Sequence, residues 1–195
     1  MLQAQINTKN QAMTILKLDS SITGEGSVSR QLTGAIIAQL KAAHPSEQII
    51  VRDLVAAPLD HFTLPAFADT TVIDEFLAAQ TIVIGAPMYN FSVPSQLKAW
   101  IDRIAVAGKT FAYTAEGPVG LVGDKRVIVA LSRGGFYGRG SPTAAFEHLE
   151  TYLGVVFGFI GITPEFVHAD GIAVSPEMRD AGIAKGLGEV ERLAA

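Results

Sequence analysis

The sequence predicts an α/β protein with a doubly wound, five-stranded parallel sheet and helices on both of its faces. Short apolar segments rich in β-branched residues alternate along the chain with longer segments whose apolar residues recur at helical spacing. This alternation is typical of a parallel sheet, because each strand must be connected to the next through a crossover helix. The apolar runs 82–84 and 127–131 also indicate strands that are buried on both sides.

The predicted elements follow one another in a regular order. Strands are expected at 13–19, 47–54, 81–87, 125–132 and 165–170. Helices are expected at 28–44, 71–80, 94–108, 141–161 and 175–194. The pairs Ser141-Pro142 and Ser175-Pro176 predict a serine N-cap followed by proline in the first helical turn, and Gly108 predicts a helix C-cap.

The charge, the length of the apolar runs and the absence of cysteine exclude several classes of protein. The chain has 195 residues, a net charge of −4 and no cysteine. The interspersed charges form no basic face for a nucleic acid, and no apolar run reaches the roughly 20 residues that span a membrane. A chain without cysteine has neither disulfides nor thiolate metal sites, which fits a cytoplasmic location. Residues 1–12 are expected to be a flexible extension, and residues 13–195 a single domain.

Hydroxyl groups are concentrated after the first predicted strand, in the segment 19–30, here called the serine loop. Its members are Ser20, Ser21, Thr23, Gly24, Gly26, Ser27 and Ser29. Backbone amides at a helix N-terminus attract anions, and a simple N-cap needs only one hydroxyl, so the composition favours a phosphate site. The segment is not a dinucleotide-binding motif, because Ser29 replaces the last glycine of that pattern.

Two prolines delimit the loop after the third predicted strand, here called the proline loop (87–94). Pro87 stiffens the backbone where the chain leaves the sheet, and Pro94 opens the next helix. Between them lie Met88, Tyr89, Asn90 and Phe91. These residues are interpreted either as a cap that packs on its neighbours or as the wall of a site for a planar ligand.

The segment after the fourth predicted strand, 131–142, is here called the glycine loop. Gly134 and Gly135 allow the backbone to approach a flat ring closely. Arg133 is interpreted as a surface charge. The two aromatic residues that follow the glycines are expected to form a stacking wall or a mobile lid, and they are Phe136 and Tyr137.

The side chains form no familiar catalytic set. The four histidines lack the spacing of metal ligands, no G-x-S-x-G nucleophile motif is present, and no carboxylates are paired for acid–base chemistry. A cofactor is therefore expected to supply the reactivity, with no metal. One phosphate-binding loop and two ring-facing loops fit flavin mononucleotide (FMN).

Five segments, in this order, resemble the FMN-dependent NADH-azoreductases, a flavodoxin-like group of NAD(P)H:quinone and azo-compound oxidoreductases. The segments are SSITGEGSVS (20–29), APMYNFSVPSQLKAWIDR (86–103), GKTFAYTAEGPVGLV (108–122), SRGG (132–135) and FGFIGI (157–162). The resemblance implies that the phosphate of FMN is bound by Ser21, Ser27, Val28 and Ser29. It implies that the isoalloxazine ring contacts, chiefly through backbone groups, Met88, Tyr89, Asn90 and Phe91. It places at the other edge of the ring Ser132, Arg133, Gly134 and Gly135.

The resemblance also implies a homodimer with active sites at the subunit boundary. Tyr113 and Phe159 are then candidates for the substrate pocket, where they would join Phe136 and Tyr137 across the interface. Two electrons would pass from NADH or NADPH through FMN to quinones or azo compounds in a ping-pong mechanism, with no catalytic side chain.

Other functions are compatible with the same loops. They are a flavin reductase that releases reduced FMN, a flavodoxin-type electron carrier and a non-catalytic flavodoxin-like regulatory domain. The aromatic residues in the loops and the modest net charge favour the enzyme. The chain also departs from the family, since segment 54–81 is shorter than expected and His168 stands where an aromatic residue is more usual.

Overall fold

The computed structural model describes residues 13–194, so the expectation for residues 1–12 lies outside the described residues. The strands within this range are β1 (Thr14–Asp19), β2 (Gln48–Asp53), β3 (Thr81–Pro87), β4 (Phe111–Thr114), β5 (Gly117–Gly120), β6 (Arg126–Arg133) and β7 (Glu165–Asp170). The α-helices are α1 (Val28–Ala43), α2 (Thr71–Ala78), α3 (Ser95–Ile104), α4 (Glu150–Phe159) and α5 (Pro176–Val190).

Five strands form a parallel sheet in the order β2-β1-β3-β6-β7. The chain moves from β1 to one edge at β2, then returns past β1 and builds the other half of the sheet. The change of direction lies between β1 and β3, which is the switch point of a doubly wound sheet. The predicted fold class is therefore confirmed.

Residues on the two faces of β3 enter different hydrophobic cores. Ile82 and Ile84 pack with α2, α3 and α4, where Phe76 and Trp100 are fully buried. Val83 points to the opposite face and packs against α1 and α5. Because alternate residues of a strand face opposite sides, a central strand must be apolar throughout. Each large side chain buried in this way contributes about 1.5–3 kcal/mol to folding.

Serine side chains cap the helices on one face of the sheet. Ser27 accepts a hydrogen bond from the amide of Arg30 at the start of α1. Ser175 accepts one from the amide of Met178 at the start of α5, with Pro176 as the first helical residue. The predicted Ser-Pro start of the last helix is confirmed.

The end of α3 differs from the sequence prediction. The helix ends at Ile104, four residues before the predicted C-cap Gly108, whose positive φ of 78° belongs to the turn that follows. The hydroxyl of Thr110 donates to the carbonyl of Ile104 at 2.7 Å and fixes this end. A side chain from beyond the helix thus takes the place of a glycine cap.

The start of α4 was also wrongly predicted. Residues 141–149 form turns and a short 3-10 helix (Ala144–Phe146) instead of the expected α-helix, and α4 begins only at Glu150. The carboxylate of Glu147 accepts hydrogen bonds from the amides of Leu149, Glu150 and Thr151. This carboxylate satisfies the amides at the start of α4, so the helix begins after Glu147 and not after Ser141.

A hairpin between α3 and β6 was missed. β4 and β5 pair antiparallel, and Gly117, with φ 119°, lies in the left-handed region after the turn. The hairpin packs closely on the end of α4, since a Cβ on Gly120 would lie 2.1 Å from the amide nitrogen of Gly161. The alternating residues Phe-Ala-Tyr-Thr, followed by Glu-Gly, are a sequence pattern that indicates a strand and a hairpin turn at 111–117.

Candidate functional site

Three loops lie side by side at the carboxyl edge of the sheet. The serine, proline and glycine loops follow β1, β3 and β6, which are neighbours in the sheet order. Ligands of doubly wound sheets bind at this edge, beside the switch point. The fold therefore brings together the three segments that the sequence singled out.

The serine loop ends at the N-terminus of α1. The hydroxyl oxygens of Ser27 and Ser29 lie 3.1 Å apart, and both residues are buried. Val28 and Ser29 occupy the first helical turn, whose amides have no acceptor within the helix. Amides and hydroxyls at the positive end of a 16-residue helix are the donors that a phosphate group requires.

One hydroxyl of the serine loop holds the loop in place. Ser20 is fully buried and donates to the carbonyl of Gly85 in β3 at 2.7 Å. Gly85 is closely packed, because a Cβ there would lie 3.2 Å from a carboxylate oxygen of Asp19. The hydroxyl of Ser20 is thus used for structure.

Tyr89 joins the proline loop to the serine loop. Its hydroxyl accepts from the amide of Ile22 at 3.0 Å and lies 3.3 Å from the hydroxyl of Ser21. The resemblance assigns Tyr89 mainly a backbone role, so this side-chain link was not foreseen. The link sets the distance between the serine loop and the proline loop.

The proline loop is a tight two-residue turn. Tyr89 and Ser92 exchange backbone hydrogen bonds, and the residues between them have positive φ, 47° for Asn90 and 73° for Phe91. Both positive angles match a type I′ hairpin turn. A bulky residue such as Phe91 rarely adopts this conformation, and such outliers are concentrated at functional sites. The amide of Met88 is held by the carbonyl of Ser132 at 2.8 Å.

The carbonyl groups of the glycine loop are fixed by the loop after β7. Gly134 accepts from the amide of Ala173, and Gly135 accepts from the amide of Gly171, each at 3.0 Å. The carbonyl of Arg133 accepts from Ile172 at 3.2 Å. Because the carbonyls are used in this way, the amides of the two glycines are the groups that the loop can offer to a ring.

Arg133 is not a surface charge, and that interpretation was wrong. The residue is only 1% exposed, and its guanidinium contacts Asp170 at 2.6 Å, Glu150 at 3.2 Å and Glu147 at 3.4 Å. Burial by itself would lower the pKa of Arg133, but these carboxylates raise it above its usual value. Because these carboxylates bind the guanidinium, any contact with FMN would involve the backbone of Arg133.

A second arginine, which the sequence did not single out, supports the serine loop. Arg30 donates to both carboxylate oxygens of Asp53, at 2.7 and 2.9 Å, and to the carbonyl of Ser21 at 3.0 Å. The hydrogen bond from Arg30 is the main cause that lowers the pKa of Asp53. The ion pair therefore stays charged and anchors the loop to β2.

Two cavities flank the serine loop and share Ile22 as a wall. One, of about 580 Å³, is lined by the proline loop and the start of α3, including Tyr89, Asn90 and Lys98. The other, of about 590 Å³, lies toward β2 and includes Arg30. Each is large enough for a cofactor ring. Together with the donors at the start of α1, these spaces fit FMN.

Aromatic side chains surround the proline and glycine loops. The ring of Phe91 lies 6.1 Å from that of Tyr137 and 5.2 Å from that of Phe146. Phe136 is half exposed and lies against Gly171, where a Cβ would come within 2.5 Å of its ring. Phe146 was missed because segment 141–161 was predicted to be one helix.

The other two predicted pocket residues lie elsewhere in the chain. Tyr113 in β4 is 75% exposed, and Phe159 ends α4, with Phe111 packing between their rings. This group lies near the amino ends of the sheet strands, whereas Phe136 and Tyr137 follow a carboxyl end. Within one chain, the structure does not bring the two aromatic pairs together.

Residues 13–194 contain neither a membrane-spanning helix nor a metal-binding cluster. No helix in this range is both long and apolar enough to cross a membrane. The same residues contain no group of three or more histidine, aspartate or glutamate side chains arranged to hold a metal ion.

Comparison with known proteins matches this geometry. Residues 13–194 match the Flavodoxin_2 family, described as having a flavodoxin-like fold. The chain is 56% identical to the FMN-dependent NADH:quinone oxidoreductase 2 of Bradyrhizobium diazoefficiens, over 90% of this chain and 96% of that protein. It is 50% identical to the FMN-dependent NADH:quinone oxidoreductase of Xanthomonas campestris pv. campestris, over 93% and 99% of the two chains.

Solved structures give the same result. The azoreductase from Bacillus anthracis str. Sterne superposes with a TM-score of 0.83 at 31% identity, covering 91% of this chain and 96% of that one. An FMN-dependent NADH-azoreductase from Bacillus anthracis str. Ames Ancestor, in complex with FMN, superposes with a TM-score of 0.82 at 25% identity, covering 94% and 100%. The chain therefore belongs to the flavodoxin-like family of FMN-dependent NADH:quinone oxidoreductases and azoreductases.

Proposed function

We propose that this chain transfers two electrons from NADH or NADPH to quinones in ping-pong order, with azo compounds as further acceptors. The observation that carries the proposal is the convergence of the serine, proline and glycine loops at the carboxyl edge of β1, β3 and β6. Relatives that are 50% and 56% identical are named FMN-dependent NADH:quinone oxidoreductases, which supports the choice of cofactor and donor.

Each loop has a distinct task in this proposal. The amides of Val28 and Ser29, with the hydroxyls of the serine loop, bind the phosphate of FMN. The backbone of the proline loop, Met88–Phe91, supports the ring. The amides of Gly134 and Gly135 offer fixed dipoles to negative charge on the ring at little reorganisation cost. Bound FMN supplies the two-electron chemistry between donor and acceptor.

The aromatic residues shape the space for donor and acceptor. Phe91, Tyr137 and Phe146 form one connected group, and Phe136 lies beside it in the glycine loop. Flat apolar rings favour stacking with a nicotinamide or a quinone. Tyr137 is the member of this group whose side chain carries a hydroxyl that can pass a proton to a reduced acceptor.

Steady-state kinetics test the proposal. The purified chain should bind FMN and turn yellow, lose colour with NADH, and regain it with a quinone. Initial rates at varied NADH and quinone should give parallel double-reciprocal lines, the pattern of ping-pong exchange. A protein that takes up no FMN would refute the proposal, and one that loses FMN at each turnover would instead be a flavin reductase.

We also propose that the chain acts as a homodimer. An exposed apolar surface covers the hairpin and the outer side of α4, and its members are Tyr113, Val119, Leu121, Val155 and Phe159. Exposed apolar residues grouped in this way are typical of a protein interface. A second copy that covered this surface would also supply the Tyr113 and Phe159 that one chain leaves far from its own aromatic group.

A further inference from the structure

His168 links two helices at the edge strand β7. Its Nε2 lies 3.2 Å from a carboxylate oxygen of Glu150 in α4, and its Nδ1 lies 3.1 Å from Glu189 in α5. Its backbone amide donates to the same oxygen of Glu189 at 2.7 Å. A neutral imidazole can donate from one ring nitrogen only, so both carboxylates are satisfied only when the ring carries two protons.

The contact between His168 and Glu150 continues to the glycine loop. The same oxygen of Glu150 accepts from the guanidinium of Arg133 at 3.2 Å. Arg133 directly precedes Gly134 and Gly135 in the chain. One carboxylate therefore separates His168 from the residue at the base of the glycine loop.

The charges around His168 leave a surplus of negative groups. The carboxylates of this cluster are Glu147, Glu150, Asp170 and Glu189. They are opposed by Arg133 of β6 and by Lys185 of α5, which lies 3.6 Å from Glu189 and 3.9 Å from Asp170. At the edge of this charged cluster, Glu165 forms an ion pair with Arg126. Arg192 lines the same shallow cavity as His168. A proton on His168 reduces the surplus.

This environment sets the direction in which His168 titrates. The hydrogen bond to Glu150 raises its pKa, burial opposes this, and the hydrogen bond to Glu189 raises it further, so the pKa lies above its usual value of 6.5. The bond to His168 is in turn the main cause that lowers the pKa of Glu150. The stabilisation is therefore present below about pH 6.5 and is lost as the pH rises through the pKa in the folded protein.

We propose that His168 is a positioning residue for the flavin ring, whose imidazolium holds Glu150 against Arg133 and so fixes the amides of Gly134 and Gly135. The inference rests on the proposed FMN site, because the glycine loop matters for the reaction only if it faces the ring. A purely structural histidine would affect stability, whereas this role also makes flavin binding depend on pH through one residue.

Flavin binding at different pH values tests the proposal. FMN affinity is measured by fluorescence quenching from about pH 5.5 to pH 8.5, on both sides of the usual imidazole pKa, for the unaltered chain, His168→Gln and His44→Gln. His44 is exposed at the end of α1, so its replacement is a matched control. The unaltered chain and His44→Gln should lose about fivefold or more in affinity as the pH rises. His168→Gln should lose this dependence, and an unchanged dependence would overturn the proposal.

A second measurement separates this inference from the proposed function. Amide NMR of the chain without FMN should show the signals of Gly134 and Gly135 shifting with the same midpoint as the His168 ring. Signals that do not follow His168 would overturn the inference even if FMN binds. If FMN does not bind at any pH, the proposed function fails, and the amide titration alone decides the positioning role.

A second variant covers the case in which His168→Gln does not fold. Glu189→Gln removes one of the two carboxylates that favour the charged ring. The midpoint of the Gly134 and Gly135 titration should then move to lower pH. A midpoint equal to that of the unaltered chain would overturn the proposal.

Discussion

At the scale of single residues, the proline loop keeps a backbone conformation that its side chains do not favour. Asn90 and Phe91 both have positive φ. Asparagine tolerates this region, whereas alanine does so at a cost of about 1–2 kcal/mol and glycine at none.

We expect Asn90→Ala to lower the free energy of unfolding by about 1 kcal/mol relative to Asn90→Gly. Urea denaturation of both variants measures the difference. Asn90→Gly removes the side chain without strain, so unchanged FMN affinity and turnover in this variant would assign the role of Asn90 to its backbone. Equal stability of the two variants would contradict the strained turn.

The contact between Gly171 and Phe136 gives a second prediction. A Cβ at Gly171 would meet the Phe136 ring at 2.5 Å, and Gly171 itself has φ 74°. Gly108 has nearly the same φ, 78°, with no atom within 4 Å of its Cβ position, which makes it a matched control.

Gly171→Ala and Gly108→Ala should each lose about 1 kcal/mol of stability from backbone strain. Only Gly171→Ala should also raise the KM for the quinone, because it displaces the half-exposed Phe136 ring. Denaturation and quinone kinetics measure the two effects. An unchanged KM in Gly171→Ala would place Phe136 outside the pocket.

Sequence reasoning at this scale could group residues only where the signal was local. The hydroxyls of the serine loop and the paired glycines of the glycine loop lie within a few residues of each other, so their grouping was visible. Arg133 was misread because its partners Glu147, Glu150 and Asp170 are 14, 17 and 37 residues away. Only the fold brings these charges together, and no spacing pattern along the chain marks them.

At the scale of the element, α4 depends on one carboxylate. Burial by itself would raise the pKa of Glu147, but the backbone amides of Glu150 and Thr151 and the Thr151 hydroxyl hold it below its usual value of 4.5. Stability from this cap is therefore present above about pH 4.5 and is lost as the pH falls through the lower pKa of the folded protein.

Glu147→Ala should destabilise the chain by about 1–2 kcal/mol, since it removes the acceptor of three amides at the start of α4. Glu147→Gln keeps one acceptor oxygen without the charge, so it should retain part of the cap. Its unfolding free energy should fall less steeply below pH 4.5 than that of the unaltered chain. Denaturation curves across this range give the comparison, and parallel slopes would show that Glu147 does not titrate with folding.

The elements predicted from the sequence were those with strong apolar periodicity. All five strands of the parallel sheet and the helices beside them were found, because the central strands are apolar throughout and each crossover helix keeps an apolar face. The hairpin and residues 141–149 were not, since both lie at the surface and depend on contacts with distant segments. The amide of His148, for example, donates to the carbonyl of Phe91 in the proline loop.

At the scale of the whole molecule, the apolar surface on α4 and the hairpin predicts the oligomeric state. Val155 is 66% exposed in α4, and Val51 is 61% exposed in the edge strand β2, away from that surface. Val155→Arg should give a monomer with low quinone turnover, because a charge would be buried against a second copy. Val51→Arg should remain a dimer.

Analytical ultracentrifugation of both variants and of the unaltered chain provides the measurement. A dimeric Val155→Arg, or a monomeric unaltered chain with full activity, would contradict the proposed homodimer. A monomer that still binds FMN but turns over poorly would support the idea that Tyr113 and Phe159 act in the pocket of the other copy.

Protein synthesis produces the glycine loop before the residues that hold it. The carbonyls of Gly134 and Gly135 are fixed by amides of residues 171–173, which leave the ribosome only after α4 and β7 have been made. A growing chain that ends just after β6 therefore lacks residues 171–173, which hold the glycine loop. Its sheet also lacks the edge strand β7. The amides of Gly134 and Gly135 therefore reach their final positions only after residues 171–173 have been made.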